Sequence, residues 1–106
     1  MVIYLYRWKL KSEKEVQFEK AWSYVTDQLR KKSGSLGSRL HQGDDGIWYG
    51  YAQWPSVEVR NNSSLKDEEI LEARRLMKDA TIEMLPDIIL TPVSDFLIYP
   101  NPLHKN

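Results

Sequence analysis

Apolar and polar positions alternate over residues 2–10. Val2, Tyr4, Tyr6, Trp8 and Leu10 share one side, and Ile3, Leu5, Arg7 and Lys9 share the other. A period of two in β-branched and aromatic residues predicts a first strand. Its beginning is apolar on both sides, which places it centrally with cover on both faces. From Ser12 the period lengthens. Phe18, Ala21, Trp22, Val25 and Leu29 recur at helical spacing and form one apolar stripe. Ser12-Glu13-Lys14-Glu15 has capping-box form. Lys31-Lys32 suits a helix C-terminus, and Ser33-Gly34 stops the helix.

Residues 36–42 and 47–54 read as strands two and three, joined by Gly43-Asp44-Asp45-Gly46. Pro55 ends the third strand, and Ser56 caps a short helical turn that runs to Arg60. Asn61-Asn62-Ser63-Ser64 is a polar break, and Ser64 with Asp67 resembles a second cap. Over residues 65–85, Ile70, Ala73, Met77, Ala80 and Met84 mark a second helical stripe, widened by Leu71 and Leu76. Pro86 closes that helix. Pro92 interrupts the residues that follow, so the fourth strand is expected over residues 95–99.

The order β-α-β-β-α-β is the ferredoxin-like α+β pattern, with a four-stranded antiparallel sheet. One domain is expected over residues 1–100, with a loose tail over 101–106. Two helices cover one face of such a sheet. The first and third strands carry large apolar groups on the other face as well, and a monomer would leave them in water. A homodimer with sheet against sheet is therefore expected.

Composition narrows the function classes. A chain of 106 residues is one domain, and its 15 basic and 15 acidic residues cancel. No basic footprint for nucleic acid or for an anionic membrane is present. The absence of cysteine removes disulfides, thiolate metal sites and thiol nucleophiles. Arg7 and Lys9 break the apolar start, so it is neither a signal peptide nor a membrane span, and a cytoplasmic location is expected. His41 and His104 lie far apart in sequence, so no metal site is expected. No phosphate loop, dinucleotide fingerprint or nucleophile elbow occurs, and no cofactor is expected.

The central hairpin carries the candidate chemistry. With a four-residue loop, His41 pairs with Trp48; with a two-residue loop each partner shifts by two. Either way, odd positions of strand two share a face with even positions of strand three. Leu36, Ser38, Leu40, Ile47, Tyr49, Tyr51 and Gln53 would then form a packed face. Gly37, Arg39, His41, Trp48, Gly50, Ala52 and Trp54 would form a sparse one. Small residues between two indoles leave volume, and polar groups at its edge orient a ligand. The bland alternative is that Gly37 and Gly50 only make room for Phe18, Trp22 or Met77.

Several segments resemble the antibiotic-biosynthesis-monooxygenase-like domain: Arg7-Trp8, residues 18–22, residues 34–41, Asp45-Gly46-Ile47-Trp48 and residues 51–56. The resemblance covers about residues 2–60 and implies a dimeric α/β barrel. Members of that family include cofactor-independent monooxygenases of polycyclic phenols and haem-degrading enzymes. Trp54 matches the tryptophan of the haem-degrading members. Tyr6 stands near their asparagine, and the second long helix has arginines, Arg74 and Arg75, but no histidine. The resemblance therefore does not extend to haem breakdown.

Two functions follow as expectations. One is a cofactor-independent monooxygenase of an aromatic, quinol-type substrate. His41 would be the base, Arg39 the oxyanion partner, and Tyr6, Trp8, Trp48 and Trp54 the substrate-binding walls. The other is a dimer that holds a small apolar or aromatic ligand without turnover, or that serves only as an assembly module. A cavity of roughly 300 Å³ or more with His41 and Arg39 converging on it would favour the first.

Overall fold

A computed structural model describes residues 1–98. The elements are β1 (Val2–Leu10), a 3-10 turn (Ser12–Lys14), α1 (Glu15–Lys32), β2 (Ser38–Gln42), β3 (Trp48–Trp54), α2 (Val57–Asn61), α3 (Glu68–Ala80) and β4 (Thr81–Leu90). The four strands form one antiparallel sheet in the order β2-β3-β1-β4. This is the ferredoxin-like arrangement expected from the element order.

β1 is central, and its period of two divides the fold. Val2, Tyr4, Tyr6 and Trp8 face the helices. Val2 and Tyr4 pack with Ala52 and Trp54 of β3 and meet Leu29 and Val59 from the helical layer. Trp8 meets Phe18 of α1 edge to face at 4.9 Å between ring centroids. Ala21 and Val25 of α1 pack against Ile70 and Ala73 of α3. The helical stripes read from the sequence are the ones that carry this contact, down to fully buried Phe18 and Ile70.

Neither helix start uses the cap expected of it. Ser12 begins the 3-10 turn, α1 starts only at Glu15, and no side chain caps it. Asp67, not Ser64, precedes α3, again without a side-chain cap bond. The Ser56 cap does form, with its hydroxyl accepting from the Val59 amide at 3.1 Å.

The last strand differs from expectation. α3 ends at Ala80 and β4 begins at once with Thr81, so Pro86 lies inside a strand and closes no helix. Residues 95–98, expected as strand, have no regular structure, and Tyr99 lies outside the described residues, as does the expected tail. Met84 falls at helical spacing by coincidence; its true partner is Trp8 across the sheet. Pro86 is tolerated because β4 is an edge strand and its register with β1 shifts between Leu5 and Arg7. The Pro86 carbonyl accepts from the Arg7 guanidinium at 2.9 Å.

The hairpin register reverses the expected faces. Gln42 pairs with Trp48, His41 with Tyr49 and Arg39 with Tyr51. The Gly43 amide donates to the Ile47 carbonyl at 2.7 Å, which leaves Asp44, Asp45 and Gly46 as a three-residue loop. Gly46 takes a left-handed conformation (φ +83°), as the third residue of such loops does. Asp45 fixes the loop by accepting from the Ile47 amide and from the Tyr49 hydroxyl. An odd loop gives the two strands matching parity. Leu40, Trp48, Gly50, Ala52 and Trp54 therefore face the helices, and Arg39, His41, Tyr49, Tyr51 and Gln53 face away.

Candidate functional site

A cavity of about 800 Å³ lies between the helix-facing side of the sheet and the helices. The sheet supplies Tyr6 and Trp8 from β1 and Gly50, Ala52 and Trp54 from β3. Trp22 and Leu29 close it from α1, and Arg60 enters from α2. Its wall is mostly apolar and aromatic, the usual character of a small-molecule site.

Gly50 shapes this space. A Cβ placed there would come within 3.0 Å of two Trp8 ring carbons and 3.6 Å of the Trp22 indole nitrogen. Of the two readings of Gly50, close packing describes its Trp8 side, yet the residue also lines the cavity. Gly37 makes no such contact: a Cβ there meets nothing within 4 Å, and its positive φ of 103° explains the glycine.

The Ser56 cap starts α2, and one turn later the chain delivers Arg60. The Arg60 Nε donates to the Tyr6 hydroxyl at 3.1 Å. Its guanidinium carbon stands 4.5 Å from the Tyr4 ring centroid and 5.7 Å from that of Tyr6. Asp87 of β4 lies 3.7 Å from the same guanidinium. Burial pushes the Tyr6 phenol above its ordinary value, against the opposing hydrogen bond and charge of Arg60. Tyr6 is therefore a neutral hydroxyl at physiological pH, held in place by Arg60 and free to donate its own hydrogen.

Trp54 is 3% exposed, lines the cavity, and its indole N–H has no hydrogen-bond partner. Leaving such a donor unpaired costs about 1–3 kcal/mol.

The remaining candidates divide by face. Tyr6, Trp8 and Trp54 line the cavity, whereas Trp48 does not and packs beside Trp8 and Phe18. Arg39 and His41 are exposed on the opposite side of the sheet. There the Arg39 Nε donates to the His41 Nε2 at 3.0 Å, and the Arg39 guanidinium stands 5.9 Å from the Tyr51 ring centroid. The expected convergence of His41 and Arg39 with Trp54 is thus corrected, because it rested on an even hairpin loop. Arg60 was the residue missed. The Pro55-Ser56 cap placed it on a helical turn, but only the tertiary fold brings it to Tyr6. Among the described residues no group of three or more His, Asp or Glu side chains could hold a metal ion. No helix among them is long and apolar enough to cross a membrane.

No protein-family profile matches the chain, and no curated protein matches it. Solved structures do. SnoaB, a cofactor-independent oxygenase from Streptomyces nogalater, superposes with a TM-score of 0.72 at 12% identity, over 90% of this chain and 95% of that one. A candidate antibiotic biosynthesis monooxygenase from Caulobacter crescentus gives 0.73 at 14% identity, over 88% and 90%. A candidate of the same kind from Nitrosomonas europaea gives 0.72 at 16% identity, over 89% and 100%. The chain therefore has the fold of the antibiotic biosynthesis monooxygenase domains, as its sequence resemblance implied.

Proposed function

We propose that the protein is a small cofactor-independent monooxygenase of phenolic aromatic substrates, with the cavity behind β1 and β3 as its site. One observation carries the reading: Arg60 and the neutral Tyr6 hydroxyl are fixed to each other at the polar edge of a tryptophan-walled cavity. The fold shared with a cofactor-independent oxygenase supports it.

In this chemistry the substrate supplies all the electrons. A phenol loses its proton, and the ring carbon para to the oxygen takes up dioxygen. The resulting hydroperoxide loses water across its C–H and O–O bonds and leaves a quinone. One oxygen atom stays in the product and the other leaves as water. Arg60 and Tyr6 stabilise the phenolate, one by charge and both by hydrogen bonds, and the apolar wall keeps solvent from the reacting carbon.

A second reading, ligand binding without turnover, draws on another observation. No carboxylate or imidazole is among the side chains that line the cavity, so the proton must leave to solvent. Naphthol separates the readings through tryptophan fluorescence, oxygen uptake and quinone absorbance. Quenching with quinone formation supports the enzyme. Quenching with no oxygen uptake selects the binding protein. No quenching at millimolar ligand removes the cavity reading altogether.

The proposal includes a homodimer formed through the sheet face that the helices leave open. That face carries half-buried Leu5 and Tyr51, with Ile88 and Leu90 exposed at its edge, although Ile3 beside them is already covered. Beyond it, Val93, Phe96, Leu97 and Ile98 are largely exposed as well, more apolar surface than a soluble monomer ordinarily leaves in water. Light scattering on the eluting protein is expected to give twice the chain mass, and a monomer at micromolar concentration would contradict the dimer.

A further inference from the structure

Arg74, Met77, Lys78 and Thr81 all line the cavity, at spacings of three, four and seven residues from Arg74. The first three lie on one side of α3, beside the Ile70–Ala73–Ala80 stripe that packs on α1, and Thr81 follows at the start of β4. Two of these four residues are cations. They stand four residues apart, where like charges repel.

The later charges Glu72, Arg75 and Asp79 of this helix are paired, whereas Glu68 and Glu69 stand in its first turn, where the helix dipole favours carboxylates. Arg75 holds Glu72 through two hydrogen bonds, at 2.9 and 2.7 Å. Asp79 binds Lys14 and Gln17 on the far side. Arg74 and Lys78 have no ion-pair partner among the described residues. The helix dipole favours Lys78 in the last turn, but its effect fades within that turn and does not account for Arg74. Across the same cavity Arg60 is already shared between Tyr6 and Asp87. The cavity thus has an apolar end walled by Trp8, Trp22 and Trp54 and a rim with two uncompensated positive charges. No carboxylate lines it to balance them.

We propose that the ligand of this cavity is an aromatic acid. Its ring system fills the tryptophan-walled end, and its carboxylate lies at the rim between Arg74 and Lys78. This rests on the reading of the cavity as a ligand site and adds the chemical class of the ligand. A carboxylate there relieves the repulsion between the two cations and gains charge-assisted hydrogen bonds from both. The paired cations also draw anionic ligands toward the mouth from solution.

The test compares naphthol with hydroxynaphthoate, which adds only the carboxylate, by fluorescence titration at low salt. The wild type is expected to bind the acid at least about tenfold more tightly, which is what one charge-assisted hydrogen bond supplies. That advantage is expected to shrink as salt is added. In the Arg74→Gln/Lys78→Gln protein the ratio is expected to fall to about one. Both positions are exposed and glutamine is a good helix former, so folding is retained; an unchanged melting temperature verifies it. Equal affinity of the wild type for both ligands overturns the aromatic-acid proposal and leaves the cavity reading standing. So does an advantage that survives in the double variant. Failure of both ligands to bind overturns the cavity reading and this proposal with it.

Discussion

The Nε of Arg60 donates to the Tyr6 hydroxyl at 3.1 Å, joining residues 54 positions apart in sequence. It ties the short helix after β3 to the centre of the sheet, and it fixes the polar edge of the cavity. Replacing Arg60 with alanine removes this bond and the contact with the Tyr4 ring. A loss of about 1–2 kcal/mol in stability is expected. Affinity for naphthol is expected to fall about tenfold, since a bond to a charged donor is lost. Urea unfolding and fluorescence titration measure the two effects. Unchanged affinity would separate Arg60 from the ligand.

Gly50 lets the Trp8 ring approach β3 closely. In Gly50→Ala the new methyl group meets the Trp8 ring at 3.0 Å. Trp8 is buried against Phe18 and cannot retreat freely. Overpacking of this kind costs about 1–3 kcal/mol, read from the urea midpoint. A variant as stable as the wild type would mean that the Trp8 ring moves into the cavity, which then binds naphthol less well.

Asp79 has its carboxyl held down to about 2 from the ordinary 3.8, chiefly by the Lys14 hydrogen bond and then by Gln17. Its contribution joins the start of α1 to the end of α3. A depressed carboxyl stabilises fully above its unfolded value and loses that effect as pH falls through the folded one. The stability advantage of the wild type over Asp79→Asn is therefore expected to be constant from neutral pH to about pH 4 and to vanish toward pH 2. An advantage that persists at pH 2 would contradict the assignment.

Arg39 and His41 provide the complementary control. They lie on the face opposite Trp54 and bond to each other. Alanine at either position is expected to leave naphthol affinity within about twofold of the wild type, as for ordinary exposed sites. A tenfold loss in His41→Ala would return the histidine to the site.

Much of the scaffold was legible because local and tertiary signals agreed. The stripe of Phe18, Ala21, Val25 and Leu29 is the face of α1 that packs. The alternation through β1 gave both of its faces, and Ser56 caps α2 as its position suggested. The errors came where two local patterns were equally good. Gly43-Asp44-Asp45-Gly46 fits an even or an odd loop, and only the Gly43–Ile47 pairing decides, with every side chain of β2 changing face relative to β3 on that choice. Met84 continues the stripe of α3, so the helix read through Thr81, although β1 had an unpaired edge there for β4 to fill. The cavity edge was illegible for another reason. Arg60 belongs to α2 and the pair Arg74 and Lys78 to α3, and no sequence spacing relates the two helices.

The central claim is that ligand enters behind β1 and β3, on the helix side of the sheet. A crystal structure of the protein grown with naphthol in the absence of oxygen tests it most directly. The ring is expected between Tyr6, Trp22 and Trp54, with its hydroxyl at hydrogen-bond distance from Arg60 or Tyr6. A ring bound instead beside Arg39 and His41 on the opposite face, or a cavity that stays empty at saturating naphthol, would contradict it.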